Sequence, residues 1–156
     1  MDDYDRMRFC YGLFLFNDSK SVDIAALKAK GLPMSFLEPE VPRERLVDIH
    51  GWCLMINHYH LLLSERVDHG ISRFLQKLNI GYAKYFNDRH DRVGTLYQGR
   101  TKQVLIETDP HFLHILHYIH LNPLDFLKGS EGWRELEIKS AAKALAHLNK
   151  YRWSSY

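Results

Sequence analysis

The chain has 156 residues, 46% apolar and 26% charged, with a formal net charge of +2. This fits one domain with a sizeable core, excludes global disorder, and leaves nucleic-acid binding to be argued from local clusters rather than bulk charge. Cys10 and Cys53 lack CxxC spacing, which suits a reducing cytoplasm and offers no structural zinc pattern. No apolar run reaches the roughly 18 residues of a membrane span, and the acidic start Met1-Asp2-Asp3 is unlike a signal peptide.

In chain order, residues 4–17 read as a helix whose broad apolar face takes Phe9, Leu13, Phe14 and Phe16, stopped by Asn17-Asp18-Ser19. Residues 18–43 read as a connector, with a short helix over 22–30 and two prolines, Pro39 between glutamates and Pro42 after Val41, opposing regular structure. Residues 45–55 read as a strand, Ile56-Asn57 as a turn, and 58–63 as a second strand, together a hairpin with one buried face. Ile71, Phe74, Leu75, Leu78, Tyr82, Tyr85 and Phe86 recur at helical spacing over 69–87. Residues 94–106 read as a further extended segment. Thr108-Asp109-Pro110 starts a helix that Asn122-Pro123 closes. A last helix covers 138–149, followed by the tail Tyr151–Tyr156. The order predicts a single α+β domain over 1–156, an antiparallel sheet covered by helices on one face.

Three groups carry chemistry. His58 and His60 alternate with Tyr59, so both imidazoles leave the same face of a strand, with backbones roughly 6–7 Å apart, close enough to share a metal ion. An HxH triplet by itself is also an ordinary pair of histidines. Tyr118 and Asn122 stand one helical turn apart on one face. A nucleophile and a metal-binding amide fit that pair, as do a half-buried aromatic and a helix cap. Gln98, Arg100 and Lys102 lie on the third expected strand, with Arg100 and Lys102 on one face, a pattern that suits contact with phosphates or bases and equally a solvated edge strand. Arg73 and Arg89 belong to a basic helix face interleaved with Tyr82, Tyr85 and Phe86, a pattern that suits single-stranded DNA and equally a solvated helix over an aromatic core. His111, His114 and His117 recur at spacing three on the tyrosine helix, a pattern open to supporting the site or facing DNA but read first as half-buried or surface residues, and His50 and His120 read as structural.

The run Trp52-Cys53-Leu54-Met55-Ile56-Asn57-His58-Tyr59-His60-Leu61-Leu62-Leu63 resembles the signature strand of the HUH single-tyrosine transposases, with Ile56 where proline is common. Gly94–Lys102, Tyr118–Pro123 and Tyr151–Tyr156 resemble further blocks in the same order, and the pattern is most similar to the REP-associated tyrosine transposases. The resemblance covers roughly residues 45–156. It implies a ferredoxin-like sheet with the histidine strand at its centre, here lacking the usual first strand. It implies that His58, His60 and Asn122 hold Mg²⁺ or Mn²⁺, and that Tyr118 is the nucleophile. It also implies nicking and rejoining of hairpin-bearing single-stranded DNA through a 5′-phosphotyrosine, by a monomer or homodimer. A phenol of pKa about 10 is a weak nucleophile at neutral pH, so such a site needs electrostatic help. The alternative is an inactive relative kept as a DNA- or RNA-binding module.

Overall fold

The computed structural model describes residues 1–21 and 43–156. The expected helix at 22–30 and most of the connector lie outside the described residues. Among the described residues there are four α-helices, α1 (Asp3–Leu15), α2 (Gly70–Arg89), α3 (Asp109–Leu121) and α4 (Ala141–Lys150). Two strands, β1 (Val47–Leu54) and β2 (Tyr59–Glu65), pair as an antiparallel hairpin. The fold is α+β, as the element order predicts. The chain forms two compact units, Met1–Asp48 with Ser64–Thr101 and Ile49–Leu63 with Lys102–Tyr156.

In the first unit, α1 begins on a capping box. The Asp2 carboxylate accepts the Asp5 amide at 2.9 Å, and the Asp5 carboxylate accepts the Asp2 amide at 3.0 Å, so amides left without helical partners are satisfied. The buried face of α1 carries Phe9 and Leu13, and that of α2 carries Phe74, Leu78 and Tyr82. The edge of one ring meets the face of the other between Phe9 and Tyr82, centroids 5.2 Å apart. Gly81 permits the close approach: a Cβ there would fall 2.1 Å from the Phe16 ring. Phe14 departs from the expected apolar face. It is 46% exposed, and the Arg43 guanidinium lies 4.1 Å over its ring. Asn17 does more than stop α1: its buried side chain accepts the Leu46 and Val47 amides and donates to the Val47 carbonyl at 2.9 Å.

In the second unit, two apolar clusters meet at α3. One joins Cys53, Met55, Leu62 and Ile119; the other joins Leu124, Trp133, Ala144 and Leu148, and the half-buried Tyr118 packs against both. Thr108 caps α3 and Ser140 caps α4 through their side-chain oxygens, the chemistry those residue types supply. A short 3-10 turn, Asn122–Phe126, follows α3 directly, and another spans Trp133–Glu135.

The tail behaves unlike a free end. The Leu54 amide donates to the Trp153 carbonyl at 2.8 Å, the Ser155 amide donates to the Trp52 carbonyl at 3.0 Å, and Cys53 and Ser154 form an antiparallel bridge. The Tyr151 hydroxyl donates to the Leu54 carbonyl at 2.6 Å. The tail thus lies along β1 as a third, very short strand.

The third strand expected at 94–106 does not form. Gly94 and Gly99 take φ of +94° and +77°, a left-handed backbone that interrupts an extended run. Val104 and Leu105 are 72% and 79% exposed. β-branched and apolar residues favour a strand only where a neighbouring strand and a core accept them.

Candidate active site

The hairpin turn sets the histidines. The Met55 amide donates to the His58 carbonyl at 2.8 Å, closing a two-residue turn at Ile56-Asn57 as expected. Residues 58, 60 and 62 then share a face of the hairpin. Leu62 packs in the cluster that contains Ile119, and this contact carries His60 to the face of α3 that bears Tyr118. The His58 and His60 rings stand 4.9 Å apart, edge to face. The His60 and Tyr118 rings stand 5.7 Å apart, again edge to face. A strand and a helix 58 residues later in the chain thereby meet at one place, as the motif reading anticipates.

His60 Nε2 is buried and has no hydrogen-bond partner. Leaving a polar atom so is costly. Burial lowers the His60 pKa, and the neighbouring His58 and Arg134 push it further down; a neutral ring keeps a lone pair to offer. His58 is exposed, and its Nδ1 lies 2.8 Å from Asn57 Oδ1. An Nδ1–H donated to Asn57 would fix the ring and direct Nε2 outward, the usual support for a ligating histidine.

Asn122 is 1% exposed. Its Nδ2 donates to the Tyr118 carbonyl at 2.7 Å, so it caps α3 by side chain as well as by position. Its Oδ1 has only a long 3.5 Å contact from Arg134 Nη2. The two readings of Asn122 are therefore compatible: the amide nitrogen caps the helix and the oxygen keeps acceptor capacity. Among the described residues no three His, Cys, Asp or Glu side chains converge. A metal here would be held by two imidazoles and an amide oxygen, a neutral set suited to a divalent ion.

The other expected contacts scatter. Gln98, Arg100 and Lys102 are exposed but sit on an irregular segment, so the shared strand face of Arg100 and Lys102 is lost. Arg73 is exposed on α2. Arg89 is committed elsewhere, with its guanidinium donating to Asp2 at 2.8 Å and to Asp5 at 2.6 Å. His120 Nε2 lies 2.8 Å from Ser155 Oγ, a structural role as expected.

Sequence reasoning missed three residues beside Tyr118. Asp125 accepts Trp133 Nε1 at 2.7 Å and Arg134 Nη1 and Nη2 at 2.7 and 2.8 Å. The Trp133 ring stands 5.6 Å from the Tyr118 ring. The Arg134 hydrogen bonds, those of Trp133 and the Arg134 charge hold the Asp125 carboxyl below its ordinary value, against the opposing effect of burial. No spacing rule links these residues; only the turn after α3 brings them together.

In class terms, this is an α+β chain in which one face gathers two ligand-type histidines, a helix-borne tyrosine and an arginine. The model of the IS200-like transposase family matches residues 38–122. That is more than half of the chain, and the chain belongs to this family. Its work is transposition-related DNA processing, and its partner is DNA. The match includes His58, His60, Tyr118 and Asn122 and stops short of Asp125, Trp133 and Arg134. No curated protein and no solved structure matches the chain. Among the described residues, no helix is long and apolar enough to cross a membrane.

Proposed function

We propose that the chain nicks and rejoins single-stranded DNA through a covalent 5′-phosphotyrosine on Tyr118, and that it belongs to the REP-associated branch acting beside hairpins in the cytoplasm. The observation that carries this reading is the meeting of His60 and Tyr118 with a buried, partnerless Nε2 between hairpin and helix. An orphaned imidazole nitrogen beside a second imidazole fits a divalent metal, Mg²⁺ or Mn²⁺, held by His58, His60 and the Asn122 oxygen. Such an ion, when bound, draws charge from a phosphate oxygen and lowers the barrier to attack on phosphorus. The chain's own residues do the rest. Leu62 against Ile119 fixes the hairpin to the helix, Asn57 orients His58, and the Tyr118 ring is gripped by Trp133 and by the apolar clusters on α3, so the phenol oxygen needs little reorientation before attack. The phosphotyrosine ester retains the energy of the broken phosphodiester. A 3′-hydroxyl attacking it restores DNA without a nucleotide cofactor.

The test is a denaturing gel of purified protein incubated with Mn²⁺ and labelled single-stranded DNA carrying its own flanking hairpins. A covalent adduct is expected, lost in Tyr118→Phe and in His60→Ala, with DNA binding retained in Tyr118→Phe. Salt-sensitive binding without any adduct would instead identify an inactive nucleic-acid-binding relative. An adduct persisting in Tyr118→Phe would remove the tyrosine assignment.

A further inference from the structure

We infer that Arg134 is a second catalytic residue, donating hydrogen bonds to the phosphate that Tyr118 attacks. The inference rests on the Tyr118 reading and deepens it.

The guanidinium is placed by four partners. Its carbon lies 5.9 Å from the Tyr118 ring centroid and 4.3 Å from the Trp133 ring centroid. Nη1 and Nη2 donate to the two Asp125 oxygens at 2.7 and 2.8 Å, and Nη2 reaches Asn122 Oδ1 at 3.5 Å. A guanidinium carries five N–H donors in a rigid plane. These contacts use three of them and leave two. Asp125 is itself fixed by Trp133 Nε1. The arginine is therefore oriented before any ligand arrives, while its side chain remains 40% exposed. The ion pair thus stands beside both Tyr118 and Asn122.

The chemistry explains what such a group would do. In the attack, the Tyr118 oxygen forms a bond to phosphorus and the phosphorus–O3′ bond breaks. The bonding pair leaves on the 3′ oxygen, which takes a proton from water, while the phenol proton passes to solvent. Charge on the non-bridging oxygens must be held as the five-coordinate arrangement forms, and a preorganised planar donor does this without reorganisation. Afterwards the same donors hold the charge of the phosphotyrosine diester beside the ring. Arg134 lies beyond the family match, in the turn after α3.

The experiment compares single-turnover adduct formation on two DNA substrates, one with an ordinary scissile phosphodiester and one with a methylphosphonate there. Replacing a charged non-bridging oxygen by methyl removes what the arginine would hold. Arg134→Gln is expected to slow the phosphodiester reaction by about 100-fold, the usual cost of one oxyanion donor, and to slow the methylphosphonate reaction less than about threefold, because effects through one contact do not add. Arg134→Lys, which keeps the charge and the packing of the stem, is expected to fall between, and guards against a folding defect in the glutamine variant. Equal slowing of both substrates would overturn the inference and leave Arg134 as scaffold. Failure of the unsubstituted protein to form any adduct on the phosphodiester would overturn the Tyr118 reading, and this inference with it, before any arginine variant is examined.

Discussion

Two polar clusters, one in each unit, handle burial in opposite ways. Around Asp5, a carboxylate with no exposed surface takes bonds from the Asp2 amide, the Tyr85 hydroxyl at 2.9 Å and Arg89 at 2.6 Å, with His90 Nε2 at 3.1 Å. Burial raises its pKa, but these donors together outweigh burial and leave it below the ordinary value. Around Tyr118, the buried His60 Nε2 has no partner at all. The first cluster spends every acceptor on holding two helix ends together. The second keeps an acceptor in reserve and gives up stability for it. Functional sites commonly show this pattern, whereas structural networks close on themselves.

The contrast breaks most sharply under paired apolar substitution. Asp5→Leu strands the donors of Arg89, Tyr85, His90 and the Asp2 amide, and urea unfolding is expected to show a loss of roughly 3 kcal/mol. His60→Leu removes an orphan instead, and the same measurement is expected to show no loss or a gain of about 1 kcal/mol. Comparable losses at the two positions would mean that His60 is structural. A saturating metal sharpens the comparison. Mn²⁺ at about 100 times its dissociation constant should stabilise the unsubstituted protein by about 2.7 kcal/mol and leave His60→Leu unmoved, seen as a shift in melting temperature that a chelator reverses. Asn57→Ala frees the His58 ring and is expected to weaken Mn²⁺ binding by about 10–100-fold in calorimetry.

Acid should weaken the first cluster. The Asp5 pKa is depressed in the folded state, so its contribution is complete above the unfolded value of about 3.9 and drains away as pH falls through the lower folded value. A stability–pH profile should therefore fall more steeply below about pH 4 than that of Asp5→Asn. The smallest effect expected is at the tail, where Tyr151→Phe deletes the 2.6 Å bond to the Leu54 carbonyl at a cost of about 1 kcal/mol in denaturant unfolding.

Local chemistry made much of this legible. Thr108, Asp109 and Pro110 announce the start of α3, which runs from Asp109 with Thr108 as cap. The alternation of His58, Tyr59 and His60 announces two rings on one face, and the rings do stand together. Phe14 was misread because helical spacing admits a residue at the edge of an apolar stripe, and the Arg43 cation settles it on the exposed side. The segment 94–106 does not form the expected strand because an extended run needs a strand beside it, and Gly94 and Gly99 follow their own backbone freedom. Arg134 was invisible for a different reason. Its meaning comes from the turn that brings Asp125 and Trp133 beside Tyr118, and no period in the sequence encodes that turn.

The pairing of the tail with β1 also has a temporal side. Trp52 and Ser155 are 103 positions apart, and Leu54 and Tyr151 are 97 apart. On the ribosome, that edge of the strand leading to the histidine turn must wait until almost all the described chain has emerged. Until then it presents open backbone groups, the kind of edge on which nascent chains associate with one another. Closing that edge with residues 151–155 is thus a late step for the described chain, coming after both histidines and Tyr118.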